Sequence, residues 1–451
     1  MKINEQRIPQ IRFPGFNPLA IIGILFSIAI GLSLLFSLLK FTAILIAPLI
    51  LLCIILNPYI GLILFLFYTY LQPPIRFPAL TFFRFAYAIA LLTGIGWLGH
   101  IALKKQKLVQ SHQNWAILSF FSAMVLSVVN CFWLQAWYDG IINIGKIIIL
   151  YFFIANLVNS LSKLKGCILS ILILNCYLAV ESISGVRSYK GEGFHEIGSA
   201  SGSGMLGGQD SFGLAMNLMI PYSYFLLMGS KSIKSRLFYL FLLTSYALAA
   251  IFTGSRGAFV GIAFIGFLLW LKSKRKIAGL VIIVILSIAI FLVAKPEYWK
   301  EMGTIKDYNQ GTALERMDMW KRGFSMFLSS PLTGVGIDNF IIVQGSIYGL
   351  WKVAHSIYIT VIAEMGLLGI ISFFFILYFF FKDIKETKVI LKSKGDTSSF
   401  LYQISEALPL SLIAFLVCGA FLSVLYYEHL YIIIALSVAL KEVAKREGNY
   451  S

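Results

Sequence analysis

Long apolar stretches fill nearly all of this chain and constrain its fold more than any other feature. A transmembrane helix needs about 20 consecutive apolar residues, and stretches of this order recur from residue 19 to residue 440. Charged residues make up only 13% of the chain, whereas a soluble domain averages about 25%. Mean hydropathy is +0.85. The sequence therefore predicts an all-α polytopic membrane protein.

The apolar stretches predict about 12–14 transmembrane helices. They lie near 19–39, 41–56, 59–72, 82–103, 115–134, 139–158, 166–183, 210–229, 237–253, 258–271, 277–294, 356–381, 404–426 and 427–440. Those at 41–56, 59–72, 258–271 and 427–440 are short for a full span. Tight joins such as Leu39-Lys40-Phe41 and Tyr426-Tyr427 leave the count uncertain by about two.

Basic clusters between the stretches predict the orientation. They are Lys2/Arg7/Arg12, Lys104/Lys105/Lys107, Lys163/Lys165, Lys231/Lys234/Arg236, Lys272/Lys274/Arg275/Lys276, Lys382/Lys385/Lys388/Lys392/Lys394 and Lys441/Lys445/Arg446. Fourteen spans with a cytoplasmic N-terminus place every cluster on the cytoplasmic side, where short basic loops stay. The net charge of +17 is thus dispersed over short loops, and we predict no nucleic-acid partner.

This topology divides the chain into five parts. They are N-terminal transmembrane helices (1–184), an extracytoplasmic Gly/Ser-rich loop (185–209), central transmembrane helices with the Ser255-Arg256-Gly257 turn (210–294), a large extracytoplasmic loop that we predict to be catalytic (295–355), and C-terminal transmembrane helices with a cytoplasmic tail (356–451). The loop at 185–209 has flexible-linker composition, and phosphate wrapping by its backbone amides is the alternative to a mobile loop.

The large loop contains one predicted helix. Thr312 and Glu315 match a capping box, apolar residues follow at helical spacing, and Ser330-Pro331 ends the pattern. We therefore predict an amphipathic helix over 313–328 at the outer membrane interface.

Three residues are the main candidates for chemistry. Arg256 lies in a tight Gly-Ser-Arg-Gly turn, where it is suited either to bidentate phosphate binding or to lipid-headgroup anchoring. Arg316 lies one turn into the predicted helix, where its side chain either contacts a ligand or lies on a solvated helix face. His355 ends the large loop, and histidine is suited to proton transfer near neutral pH, although a structural role is the alternative.

Further candidates surround these three residues. Trp320 and Arg322 share the predicted helix with Arg316, and Glu428 with His429 lies at a predicted outer turn, so we treat these four as candidate substrate-binding residues. Glu364 falls on the opposite helix face from His355, so we expect it to need another partner. The five cysteines lie in apolar stretches with no metal-ligand spacing, and we predict no metal site and no cofactor.

An ordered set of motifs resembles the O-antigen ligase/O-antigen polymerase superfamily of bacterial envelope glycosyltransferases. The set runs through Ser255-Arg256-Gly257, Arg316 with Trp320, Pro331-Leu332-Thr333-Gly334-Val335-Gly336, and His355-Ser356-Ile357-Tyr358 to Glu364-Met365-Gly366-Leu367-Leu368-Gly369. The family usually has His-Asn where this chain has His355-Ser356. That serine and the Glu297–Met302 segment are more similar to the branch of exosortase-associated O-glycosylation ligases.

The resemblance implies a metal-independent GT-C-like enzyme in the bacterial cytoplasmic (inner) membrane, with its active site facing the periplasm. Its donor would be a polyprenyl-diphosphate-linked glycan and its acceptor a lipid, glycan or protein hydroxyl, with membrane lipids around it. Arg256 and Arg316 would hold the diphosphate, and His355 would position or deprotonate the acceptor. Ligase, polymerase and protein O-glycosyltransferase stay open, with a small-anion (bicarbonate-type) transporter as the alternative from another class.

Overall fold

The computed structural model describes residues 48–73, 85–104, 107–188, 208–272, 276–277, 312–396 and 398–449. Over these ranges the chain is helical, with short turns between helices and no strand. The helices are α1 (Pro48–Leu56), α2 (Pro58–Leu71), α3 (Phe85–Lys104), α4 (His112–Leu126), α5 (Leu134–Leu157), α6 (Leu161–Ser188), α7 (Gln209–Gly229), α8 (Ile233–Phe252), α9 (Arg256–Lys272), α10 (Thr312–Ser329), α11 (Phe340–Tyr348), α12 (Ile357–Ser393), α13 (Phe400–Gly419) and α14 (Glu428–Asn449).

The polytopic all-α class predicted from the sequence is confirmed. Within the described ranges, eight helices are long and apolar enough to cross a membrane, and the pair α1 and α2, bent by 120°, raises the number to as many as nine. The total of about 12–14 stays a prediction, because the stretches near 19–39 and 277–294 lie outside the described residues, as do most of the predicted 185–209 loop and the Glu297–Met302 segment.

Helix α7 lies at the centre of the bundle, with 78% of its spanning window buried. Glycines allow its close approach to neighbouring helices, as small residues do in membrane bundles. A Cβ on Gly213 would meet Ala258 of α9, and Asn217 donates a hydrogen bond to the Ala258 carbonyl at 2.8 Å. A Cβ on Gly261 would meet Asn217 and Cys418 of α13. These contacts hold the beginning of α9 beside the beginning of α7.

Ion pairs join the helices at the end of the bundle opposite the beginning of α12. Glu406 of α13 pairs with Lys272 of α9 and, at 2.6 Å, with Lys388 of α12. Lys441 of α14 pairs with Asp383 of α12 at 2.7 Å. Together these pairs fix the relative positions of α9, α12, α13 and α14 far from the candidate site.

Helix α12 is interrupted at Gly366, whose backbone (φ 59°, ψ −149°) is non-helical. Residues 331–339, here called the wedge loop, pack against this break. The N–H groups of Val335 and Gly336 donate to the carbonyls of Ala363 and Glu364 at 2.9 and 3.1 Å. The wedge loop thus satisfies carbonyl groups that the broken helix leaves without intrahelical partners.

The wedge loop is also fixed from its other side by the connection between α4 and α5. Asn130 donates to Thr333 Oγ1 at 2.9 Å, and the Trp133 N–H donates to Asn339 Oδ1 at 2.7 Å. Helices α10 and α11 flank the wedge loop in the chain, so their positions depend on this buried junction.

Candidate functional site

The turn between α8 and α9 brings the predicted Ser255-Arg256-Gly257 motif to one end of the bundle. Gly254 has a positive φ of 68°, which glycine adopts without steric cost. Ser255 is the N-cap of α9, because its hydroxyl accepts from the Ala258 N–H at 3.1 Å. Arg256 is the first residue of α9; its side chain lies outside the described atoms. The N-terminal end of a helix favours anions.

The first turn of α7 meets this motif through Asp210. The Ser255 hydroxyl donates a hydrogen bond to Asp210 Oδ1. The next residue, Ser211, is hydrogen-bonded to the Tyr427 hydroxyl just before α14. The α8–α9 turn, the beginning of α7 and the α13–α14 connection therefore lie together.

His355 immediately precedes α12 at the same end of the bundle. Its backbone is left-handed, with φ 49°, and its N–H donates to Ser423 Oγ at 2.8 Å. Trp320 of α10 donates its indole N–H to the carbonyl of Ala354 at 3.1 Å. Two long-range hydrogen bonds therefore hold the backbone on which His355 is carried, and its side chain is half-buried.

Charged groups from three directions act on the His355 imidazole. Burial lowers the pKa of His355 below its ordinary value, and Arg316 and Lys352 also lower it, whereas Asp210 and Glu315 raise it. The lowered pKa favours the neutral imidazole, which accepts protons, at neutral pH. Glu315 and Trp320 of α10 contact Lys352 and Ala354, so the helix that carries Arg316 lies against the segment that ends at His355.

Helix α10 confirms the amphipathic helix predicted over 313–328, since it spans Thr312–Ser329. The Thr312 side chain, proposed as the cap, lies outside the described atoms. Glu315 pairs with Lys352 at 2.7 Å, which ties the first turn of α10 to the segment before His355. Arg316 follows Glu315 and is partly exposed.

The four candidate substrate-binding residues have different surroundings. Trp320 supports the segment before His355, as described above. Arg322 donates to Gln344 Oε1 at 3.1 Å and lies over the Tyr348 ring at 4.4 Å from its centroid, and it therefore braces α10 against α11. Their role in substrate binding stays a prediction.

Glu428 and His429 begin α14; Glu428 is half-buried and His429 is buried. The His429 ring packs edge-on against Tyr70 of α2, with 5.6 Å between centroids. The same ring lines a small cavity together with Ile168 and Met219. His429 is thus surrounded by the helix core, and the proposed contact of both residues with substrate stays a prediction.

Glu364 has hydrogen-bond partners other than His355, as expected from its position on the opposite helix face. Its Oε1 accepts from the Phe340 N–H at 3.0 Å, and the Tyr426 hydroxyl donates to Oε2. Glu364 therefore connects the α12 break to the beginning of α11 and to the α13–α14 connection. Sequence reasoning missed Tyr426, Ser423 and the pairing of Asp210, because no local pattern marks contacts between residues so far apart.

The fold and the site define an integral membrane protein with an arginine and a histidine at one end of its helix bundle. Among the described residues there is no group of His, Cys, Asp or Glu arranged to hold a metal ion. A search of curated proteins gives no match to the chain.

Residues 238–374 match the family model Wzy_C, described as O-antigen ligase. This segment contains Arg256, Arg316, His355, the wedge loop and Glu364. Over that segment the match supports the resemblance to the O-antigen ligase/O-antigen polymerase superfamily. The match supports a ligase-like function in envelope glycan transfer.

Proposed function

We propose that this protein transfers a glycan from a polyprenyl-diphosphate carrier to an acceptor hydroxyl at the periplasmic side of the bacterial inner membrane. What supports the proposal is the arrangement at one end of the bundle, where Glu315 and Trp320 tie the helix that carries Arg316 to the segment before His355, and where α9 begins with Arg256. The segment 295–355 supplies Arg316 and His355, and the segment 210–294 supplies Arg256.

The reaction follows from the properties of these side chains. His355, neutral at neutral pH, accepts the proton of the acceptor hydroxyl as the oxygen attacks the anomeric carbon. The bond between that carbon and the diphosphate oxygen breaks, and its electron pair leaves with the diphosphate. Arg256 and Arg316 balance the negative charge that develops on the leaving group. The proton ends on His355.

A transfer assay with purified protein tests this assignment. We expect His355→Ala to lower the transfer rate by about 10²–10⁴-fold and to retain donor binding. Arg316→Ala and Arg256→Ala should each lower the rate by about 10²–10³-fold. Normal transfer by His355→Ala, or by both arginine variants, would refute the proposed roles.

Lys321→Ala is the matched control for Arg316→Ala. Lys321 is a cation on the same helix, but it is exposed and lies 3.6 Å from Asp318 in an i,i+3 pair, which contributes little in water. We expect this variant to transfer glycan at the wild-type rate. Loss of transfer in Lys321→Ala equal to that in Arg316→Ala would indicate a general effect of charge on α10.

The same assay separates the acceptor classes and tests the metal-independent mechanism. Lipid, growing-glycan and peptide acceptors distinguish a ligase from a polymerase and from a protein O-glycosyltransferase. We expect EDTA to leave the rate unchanged, because the two arginines would supply the positive charge that a metal ion otherwise provides. Strong inhibition by EDTA would contradict the metal-free mechanism.

A further inference from the structure

Asp210 stands out among the charged groups around His355 because it belongs to α7, which has the largest buried share of the candidate spanning helices that the structure describes. Glu315 and Lys352 also act on the imidazole, but they are partly exposed and pair with each other at 2.7 Å. Asp210 is half-buried in the first turn of α7, where the charge of a carboxylate is screened less by solvent than at the surface.

The position of Asp210 is fixed by contacts on both sides of it. Ser211, the next residue, is bonded to Tyr427, and one turn further on Gly213 packs directly against Ala258. A side chain carried by such an element is held in place more firmly than one on a loop.

Asp210 also bonds directly to the arginine-bearing turn. Its Oδ1 accepts the hydrogen bond of the Ser255 hydroxyl. The same serine caps α9, whose first residue is Arg256. One carboxylate therefore contacts the turn that carries one proposed catalytic residue. The α13–α14 connection places the same carboxylate near His355, because its Tyr427 bonds to Ser211 and its Ser423 accepts from the His355 N–H.

We propose that Asp210 is a positioning residue of the transfer site: it holds the Ser255-Arg256 turn, and its negative charge stabilises His355 in the protonated form that arises when the acceptor loses its proton. This inference rests on the proposed function. Asp210 itself neither gains nor loses a proton in the step, as for the carboxylate that supports a catalytic histidine in other enzymes.

Two substitutions separate the charge of Asp210 from its hydrogen bond. Asp210→Asn removes the charge but keeps an oxygen that accepts from Ser255. Ser255→Ala removes the hydrogen bond and the helix cap but keeps the charge. A purely structural role predicts that both variants lose activity without a change in pH dependence.

Charge support of His355 predicts a different result for Asp210→Asn. Asp210 raises the pKa of His355, so its neutralisation should lower that pKa. The acid limb of the profile of kcat/KM against pH, which reports the base of the free enzyme, should then move to lower pH. The plateau rate should fall about tenfold, because a weaker base accepts the proton less readily.

For Ser255→Ala we expect a lower rate with the acid limb unmoved, and Asp210→Glu should restore the wild-type limb. Asp318→Asn is the control, since Asp318 is exposed on α10 and lies beside Lys321; its profile should match the wild type. Donor binding and the unfolding temperature of each purified variant show whether the protein has folded.

An unmoved acid limb and an unchanged plateau in Asp210→Asn, while His355→Ala has lost transfer, would overturn the role of Asp210 and leave the proposed function standing. Full activity of His355→Ala would overturn the proposed function and this inference with it. If Asp210→Asn does not fold, the neutral variant Asp210→Ser takes its place: an acid limb at the wild-type pH would overturn the charge role.

Discussion

We expect Gly366→Ala to destabilise the protein by about 4 kcal/mol and to abolish glycan transfer. Gly366 has φ 59° and ψ −149°, a region that essentially only glycine adopts, and a side chain there costs about 1–3 kcal/mol. A Cβ would also lie 2.6 Å from the carbonyl oxygen of Pro331 in the wedge loop. Because this neighbour is backbone, relieving the overlap costs about a further 1–3 kcal/mol.

The matched control is Gly349→Ala. Gly349 also has a positive φ, of 69°, but a Cβ there would meet nothing within 4 Å. Its substitution should therefore cost only the left-handed backbone strain, about 1–2 kcal/mol. The two variants separate backbone strain from displacement of the wedge loop.

Both variants can be purified in the same detergent and unfolded by heating at one fixed rate, with tryptophan fluorescence as the readout. A fixed rate matters because unfolding of a protein of this kind is irreversible and depends on the heating rate. The unfolding temperature of Gly366→Ala should fall at least twice as far below wild type as that of Gly349→Ala. Equal unfolding temperatures, or full transfer by Gly366→Ala, would refute the role of the wedge loop in supporting the site.

Two further substitutions test the surroundings of the site. Trp320→Phe keeps an aromatic ring but removes the N–H that donates to Ala354, a bond worth about 1 kcal/mol, so the transfer rate should fall several-fold. Trp115→Phe, at an exposed tryptophan, is the control and should transfer at the wild-type rate. Equal transfer rates in the two variants would contradict the bracing role of Trp320. Burial, and secondarily the charge of Asp139, raises the pKa of Asp338 from 3.8 to about 6. Between these two pH values the folded protein binds more protons than the unfolded protein, so its stability falls as pH rises. Asp338→Asn should make this fall smaller, as unfolding temperatures at pH 4 and pH 7 would measure; a slope equal to that of wild type would contradict the effect.

The elements of the fold follow closely from local sequence. The stretches at 59–72, 82–103 and 258–271 correspond to α2, α3 and α9, because long apolar runs between polar turns specify helices wherever they occur. Helix α10 matches its predicted range for a related reason, since its apolar spacing and its Ser330-Pro331 end are local signals.

The candidate site was only partly accessible from sequence. Arg316 and His355 were singled out by their residue types and by their place in a polar loop, and in the structure the helix that carries Arg316 lies against the segment that ends at His355. Asp210 had no visible partner, because Ser255 is 45 residues away. Trp320 was considered as a neighbour of Arg316, whereas its indole N–H contacts the Ala354 carbonyl.

The sequence by itself determined that this chain is a polytopic helical membrane protein and which ionisable residues lie between its apolar stretches. Only the tertiary structure decided which of them meet: Asp210 with Ser255, the His355 backbone with Ser423, and Glu364 with Tyr426. The physical reason is that lipid-facing and core-facing residues are both apolar in a membrane bundle. Hydrophobic periodicity therefore does not fix which helix faces meet, and these pairings depend on close packing and on polar contacts between distant segments.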